Sequence, residues 1–360
     1  MKFIHTADLH LASEMESRLT PEKAKQRRAE LLATFGRMAD YAVENGVAAI
    51  LLCGDIFDEG KPRIKDKRNF IDVVRAHPQI DFLCLAGNHD ESLEGEEGLP
   101  ENLYCFGQTW RRYGYGEVDV WGIEQSDANY NLIYTTLMPD RAKTNIVMLH
   151  GQVQTYGARP ARDTVVLPLL VDKGIDYLAL GHLHSYRAQA LDARGTWCYS
   201  GTPEGRGYDE CGPKGFVLLE IEDGQVQHSF VRFCAREIVE TEVDLSGTGS
   251  AYEIEERVRA QTEDIDRKNM VRVYLTGRLP QEAHFSTEDI ARELEGEFFA
   301  ASVKDRTKTE INAAAYMHEL SLRGEFVRLV DGAQELTEEE KEKILSCGLK
   351  ALAGEEVSFR

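Results

Sequence analysis

Five short segments hold the side chains best suited to chemistry: Asp8-Leu9-His10, Gly54-Asp55-Ile56-Phe57-Asp58, Gly87-Asn88-His89-Asp90, His150-Gly151 and Gly181-His182-Leu183-His184. Carboxylate oxygen, imidazole nitrogen and an amide carbonyl form a donor set that suits Mn²⁺, Fe²⁺ or Zn²⁺. Two such ions held close together need one ligand that spans both, which a carboxylate can do, and Asp55 is the natural choice. The i, i+2 spacing in Asp8-Leu9-His10 and His182-Leu183-His184 predicts paired ligands on one face of an extended backbone, with each leucine turned into the core. Five of the ten histidines lie in these segments. His5, His77, His228, His284 and His318 have no such context and read as ordinary core or surface residues.

The segments follow apolar runs over 2–6, 47–53, 81–86, 145–149 and 176–180, each of the kind that forms a buried strand. The reactive residues therefore fall where strand gives way to loop, where layered α/β folds build their sites. Between the first two strands, Thr20-Pro21 supplies an N-cap and a first-turn proline. Leu31, Leu32, Phe35, Met38, Ala42 and Val43 then recur at helical spacing, and Asn45-Gly46 ends the helix. An irregular stretch follows the third strand, and its acidic part, Glu91–Gly98, reads as a flexible loop beside the site. Further strands are predicted near 118–123, 197–199, 215–221 and 226–233. Periodicity alone indicates a layered α/β fold.

At 360 residues, 42% of them hydrophobic, the chain has room for a large core and more than one domain. No apolar stretch is long enough to span a membrane, and the N-terminus enters a strand with no signal-peptide pattern, so a cytoplasmic protein is expected. The seven cysteines include no CxxC, and Cys53 and Cys84 sit within apolar strands, which points to reduced thiols. A net charge of −20 argues against indiscriminate binding to a polyanion. Basic residues cluster locally all the same. Lys61, Arg63, Lys65, Lys67 and Arg68 follow the second segment, and Arg159, Arg162, Arg187 and Arg206 lie in later loops. They form either a rim that tracks phosphates or, for 65–68, the solvated face of a helix leading to Phe70, Val73 and Val74.

The five segments, in this order, resemble the calcineurin-like metallophosphoesterases, whose pattern is DxH, GDxxD, GNHD or GNHE, a lone H, and GHxH. The opening Phe3–Leu11, the block Gly54–Asp58, Ser200-Gly201-Thr202-Pro203-Glu204 and Lys214-Gly215-Phe216 look like the branch of SbcD- and YhaO-type DNA-repair exonuclease subunits. The resemblance covers residues 1–235. It implies a four-layer α/β/β/α sandwich with a smaller C-terminal α+β capping domain. It also implies two divalent metal ions, Mn²⁺ by preference, with Fe²⁺ or Zn²⁺ as alternatives. One is held by Asp8, His10, Asp55 and His184, the other by Asp55, Asn88, His150 and His182. His89 is then left to meet the scissile phosphate or protonate the leaving oxygen. Asp90 either orients His89 or serves as a turn residue. Asp58 stands where other relatives place a histidine.

Past residue 235 the texture changes. Strands are predicted over 237–245 and 270–278, with amphipathic helices at Tyr252–Arg259 and Thr287–Leu294. The domains read as 1–235, 236–315 and 316–360. Two helices, Met317–Val330 and Thr337–Leu352, carry apolar stripes through Leu320, Leu322, Phe326, Leu329, Val330, Ile344, Leu345 and Leu349. In SbcD-type proteins the corresponding region binds an SMC-like ATPase of the SbcC type. The resemblance thus implies DNA as substrate, that ATPase as partner, and a homodimer. A small-molecule phosphodiesterase or phosphatase of the same superfamily, and a non-catalytic scaffold, are the competing readings.

Overall fold

The structure is a computed structural model that describes the chain except residues 16–18, 59–61, 156, 158, 281–282, 310–315 and 354–360. It forms two compact units, Met1–Ile238 and Val239–Arg360.

The first unit begins with β1 (Lys2–Thr6), α1 (Pro21–Glu44), β2 (Ala49–Cys53), α2 (Ile64–Ala76), β3 (Asp81–Leu85) and β4 (Leu103–Cys105). It continues through β5 (Arg111–Tyr115), β6 (Val118–Gly122), α3 (Ile133–Thr136), β7 (Thr144–His150), β8 (Gln152–Gln154) and β9 (Thr164–Val166). It closes with β10 (Tyr177–Gly181), β11 (Arg187–Ala190), β12 (Thr196–Tyr199), β13 (Gly215–Glu222) and β14 (Gln225–Arg232). Two six-stranded sheets result, ordered β14-β13-β1-β2-β3-β4 and β11-β12-β10-β7-β6-β5. Four consecutive strands in each are parallel: β1, β2, β3 and β4 in one, β6, β7, β10 and β12 in the other.

The continuous apolar runs are explained by burial on both strand faces. On one face of the first sheet, Ile4, Ile50, Leu52 and Phe82 pack against Leu31, Phe35 and Met38 of α1 and Phe70 and Val74 of α2. On the other, Phe3, Leu51, Cys53, Leu83 and Leu85 meet Val120, Ile146, Met148, Tyr177, Ala179 and Cys198 of the second sheet. Each such side chain, fully buried, contributes roughly 1.5–3 kcal/mol. The outer face of the second sheet is covered by Ile133, Tyr134 and Leu137 and by Val165, Val166, Leu167 and Leu170. The four-layer order α/β/β/α is present, with a fourth layer made of one short helix and loops.

Helix α1 starts and stops where its capping residues predict. Thr20 accepts the Lys23 N–H, Pro21 opens the first turn, and the Asn45 N–H returns to the Tyr41 carbonyl. The supposedly irregular stretch contains β4, only three residues long, and β5, whose glycine and arginines hide any alternation. The Glu91–Gly98 segment is pinned: Leu93 is buried, Glu94 pairs with Arg111 at 2.7 Å, and Glu96 pairs with Lys67. Beside it, α2 buries Phe70 and Val74 while Lys65 and Arg68 face solvent, as the helix-face reading requires. Lys61 lies outside the described residues. Cys53, Cys84, Cys105, Cys198, Cys211, Cys234 and Cys347 are free thiols.

The second unit contains β15 (Ile238–Asp244, its first residue in the first unit), α4 (Ala251–Thr262), β16 (Met270–Thr276), β17 (Arg278–Leu279) and α5 (Thr287–Glu297). It also contains β18 (Ala300–Asp305), β19 (Lys308–Thr309), α6 (Leu322–Asp331) and α7 (Glu338–Ala353). A β15-β16-β18 sheet carries α4 and α5 over a core of Val243, Leu245, Ile254, Val258, Val273, Ile290 and Leu294. Ser250 and Glu253 close a capping box on α4. Helices α6 and α7 bury Val327, Val330 and Leu345 against one another, while Leu320, Leu322 and Leu329 stay exposed.

Candidate metal centre

Asp8 and His10 follow β1, Asp55 follows β2, and Asn88 and His89 follow β3. His150 ends β7, and His182 and His184 follow β10. All leave the C-terminal ends of parallel strands, so one edge of the sandwich collects them. The backbone then does something that spacing did not predict. Asp8 (φ 53°), His10 (φ 43°) and Asp55 (φ 52°) are all left-handed, a conformation that disfavours any residue with a Cβ. Leu9 does turn into the core, but Asp8 and His10 converge through these kinks and not through the pleat of an extended strand.

Two glycines let the loops close. A Cβ on Gly87 would lie 2.1 Å from Asp55 Oδ1, and one on Gly181 would lie 1.9 Å from the Cys53 carbonyl and 2.8 Å from His150 Nδ1. Neither position admits a side chain without moving backbone.

Ligand atoms of Asp8, His10 and His184 lie within 4.8 Å of one another, and so do those of Asp8, Asp55 and His150. Asp55 Oδ2 is 3.9 Å from His10 Nε2 and 3.5 Å from His150 Nε2, so it stands between the groups. Asn88 Oδ1 is 2.9 Å from His150 Nε2 and 3.2 Å from His182 Nδ1. Both oxygens of Asp8 accept the His182 N–H, at 3.0 and 3.1 Å.

The donor set fits divalent cations on two grounds. His10 Nε2 and His184 Nε2 face each other at 3.1 Å. The Nδ1 of His10 lies 3.0 Å from Asp58 Oδ1, and that of His184 lies 2.7 Å from Glu210 Oε1. With their protons on Nδ1, the two Nε2 lone pairs point at one another, an arrangement that a cation between them resolves. His150 repeats the device, its Nδ1 held 2.8 Å from the Cys53 carbonyl. Electrostatics supply the second ground. Burial raises the Asp8 carboxyl. Burial would raise Asp55 too, but the hydrogen bond and charge of His150, with the His89 N–H and His10, hold it below the usual range. Burial would lower His150, yet Asp55 and Asp8 lift it to about 9. Unbalanced negative charge is what a metal ion would relieve.

The ring of His89 is exposed, with its centroid 5.7 Å from that of His10, and no hydrogen bond to it is seen among the described residues. The His89 backbone N–H is used, donating to Asp55 Oδ1 at 3.1 Å. Asp90 accepts backbone N–H groups from Ile56, Phe57 and Gly87, at 2.9, 2.9 and 3.1 Å. Its carboxylate thus ties the third loop to the second, which is the turn role and not the orienting one.

Several residues have jobs that the sequence hid. Arg206, read as part of a basic rim, is spent on Asp58 and Glu210. Glu210 drew no notice because it sits in a turn-rich loop, 26 residues from the histidine it contacts. Glu204 is fully buried, bonded by Arg27 at 3.0 Å and Thr34 at 2.7 Å, and anchors its loop to α1. The Lys214 ammonium donates to the His184 carbonyl at 2.9 Å. His5 lies between the sheets with Nδ1 2.9 Å from the Tyr177 hydroxyl, and burial pushes it down to about 3.

Residues 1–186 match the family model described as calcineurin-like phosphoesterase. The chain is 25% identical over 299 residues to a DNA double-strand break repair protein Mre11 of Sulfolobus acidocaldarius, covering 78% of this chain and 76% of that one. It is 29% identical over 256 residues to the uncharacterized metallophosphoesterase YhaO of Bacillus subtilis, covering 64% and 60%. An Mre11 of Methanopyrus kandleri is 25% identical over 317 residues, covering 78% and 66%.

Proposed function

The chain belongs to the calcineurin-like phosphoesterase family, and from that premise we propose that it is a two-metal phosphodiesterase acting on DNA, an exonuclease of the SbcD type. The observation that carries the reading is the pair of inward-facing Nε2 atoms of His10 and His184 beside Asp8 and Asp55. Asp8, His10, Asp55 and His184 would hold one ion and Asp55, Asn88, His150 and His182 the other. Mn²⁺ is the preferred ion, with Fe²⁺ or Zn²⁺, which the same oxygen and imidazole donors suit, as alternatives. Bound there, such ions supply positive charge to the phosphoryl oxygens and lower the pKa of the attacking water.

The chain's own groups do the rest. Asp58, Glu210 and the Cys53 carbonyl keep the proton of each facing histidine on Nδ1. His89, exposed and with an unencumbered ring, reaches the phosphate or hands a proton to the leaving oxygen. DNA as substrate is supported by the names of the archaeal relatives, which are repair proteins.

An SMC-like ATPase partner and a homodimer complete the proposal. The exposed Leu320, Leu322 and Leu329 on and beside α6 offer an apolar surface for that ATPase. No helix among the described residues is long and apolar enough to cross a membrane, and a cytoplasmic setting accords with free thiols.

The test is Mn²⁺-dependent digestion of end-labelled single- and double-stranded DNA beside a bis-phosphodiester and a phosphomonoester. Shortening of DNA from its ends is expected. Hydrolysis of the small esters with intact DNA would replace the nuclease reading with a small-molecule phosphoesterase.

A further inference from the structure

Behind the centre stand three charged residues that meet no ligand position themselves. Arg206 donates from Nη1 to Asp58 Oδ1 at 2.5 Å, and from Nη2 and Nε to Glu210 Oε1 at 2.8 and 3.1 Å. The Arg206 backbone N–H reaches Glu210 Oε2 at 2.8 Å. Each carboxylate then faces the Nδ1 of a different histidine, Asp58 that of His10 and Glu210 that of His184. The chain of contacts His10–Asp58–Arg206–Glu210–His184 closes into a ring through the 3.1 Å approach of the two Nε2 atoms. Lys214 fixes the same loop from below by holding the His184 carbonyl. Among the described residues, no hydrogen bond or ion pair joins His150 or His182 to Asp58, Arg206 or Glu210.

We propose that Asp58, Arg206 and Glu210 act as one positioning clamp that sets the Nε2 atoms of His10 and His184 for a single metal position, leaving the other position to independent supports. The inference rests on the two-metal reading. Glu210 is nearly buried and Asp58 partly so. A guanidinium suits the place because its planar fork holds its N–H donors in fixed directions toward two carboxylates, where an ammonium on a flexible stem would be free to turn.

Arg206→Met separates this idea from simple electrostatics. Removing a cation beside a metal position should tighten metal binding on charge alone. Loss of the clamp should weaken it, on the order of the 10–100-fold seen when a supporting shell is lost.

The experiment is Mn²⁺ titration calorimetry with elemental analysis on the full chain, together with thermal melting of the metal-free protein. The expected result is two ions in the wild type. In Arg206→Met one affinity falls 10–100-fold and the other holds, while the metal-free melting temperature drops because Glu210 keeps its buried charge without its cation. Arg206→Lys should show the same one-sided loss and serves if the methionine variant fails to fold. Asp58→Asn combined with Glu210→Gln should cost less than the sum of the singles, because both act through Arg206. Unchanged or tighter binding in Arg206→Met, or an equal loss at both positions, overturns the clamp alone. A wild type that binds no pair of ions refutes the two-metal reading and the clamp with it.

Discussion

Replacing Gly181 by alanine adds one methyl group at the most crowded point of the site. Gly181 ends β10 with ordinary strand backbone, so the effect is purely steric. The new Cβ would stand 1.9 Å from the Cys53 carbonyl oxygen, 2.8 Å from His150 Nδ1 and 2.9 Å from Ala7 Cβ. All three lie well inside ordinary contact, and the first two are the partners in the 2.8 Å contact that orients His150. Overpacking of a dense core costs about 1–3 kcal/mol and a lost hydrogen bond about 0.5–1.5, so Gly181→Ala should destabilise the metal-free protein by roughly 2–4 kcal/mol. His150 would also be released to turn its ring, and metal affinity should fall with stability. Urea unfolding and Mn²⁺ titration of the same preparation measure both. A variant within about 0.5 kcal/mol of wild type that binds Mn²⁺ normally would refute the reasoning, because the loops would then have slack that the distances deny.

His89→Ala should keep metal content at the wild-type level while slowing hydrolysis on the order of 10²–10⁴-fold; loss of an ion, seen by elemental analysis, would make His89 a ligand. His5, lowered to about 3 by burial, is neutral in the folded state and titrates near 6.5 when unfolded. Its contribution to stability is therefore complete above pH 6.5 and declines as the pH falls toward 3, by about 1.4 kcal/mol per unit. Urea titrations at pH 6.5 and 5 should show that decline lessened by that amount in His5→Gln, and equal slopes would contradict it. Leu322→Ser and Leu329→Ser, at positions 71% and 69% exposed, should leave thermal stability within about 0.5 kcal/mol of wild type while weakening capture of an SbcC-like ATPase. Intact capture would move the partner surface elsewhere.

The ends of β1, β2, β3, β7 and β10 were legible because doubly buried strands leave unbroken apolar runs, and the reactive residues begin where those runs stop. What lay beyond pattern was backbone handedness and long-range pairing. Nothing local announces that Asp8 and His10 are left-handed, since only the approach of the Gly54 loop imposes it: the Asp8 N–H reaches the Gly54 carbonyl at 3.0 Å. Arg206 looked like any loop arginine, and Glu210 like any turn acid, because their partnership depends on where Asp58, 148 residues away, is brought by the sheet. Asp90 invited a catalytic reading by standing next to His89, while its carboxylate points back to the loop after β2. Of the short edge strands, β4 is too brief to show a period, and β5 and β11 are half-exposed with glycine or arginine, which carry little periodicity.

The donors are divided between two hydrogen-bonded ladders. Asp8, His10, Asp55 and Asn88 come from the first sheet, and His150, His182 and His184 from the second. Between those ladders lie interdigitated side chains such as Leu83, Val120, Ile146 and Met148. Slippage of one ladder over the other would part His10 from His184 and the carboxylates from His150 and His182, so the thickness of the apolar filling acts as the spacer of the active edge. A methylene lost at Met148 or Leu83 would therefore be felt in metal affinity as well as in stability, although neither side chain is a donor. Ions seated at that seam would in turn rivet the ladders together at one end, and chelation should loosen amide protection along β2 and β7 before it reaches β14 or β11.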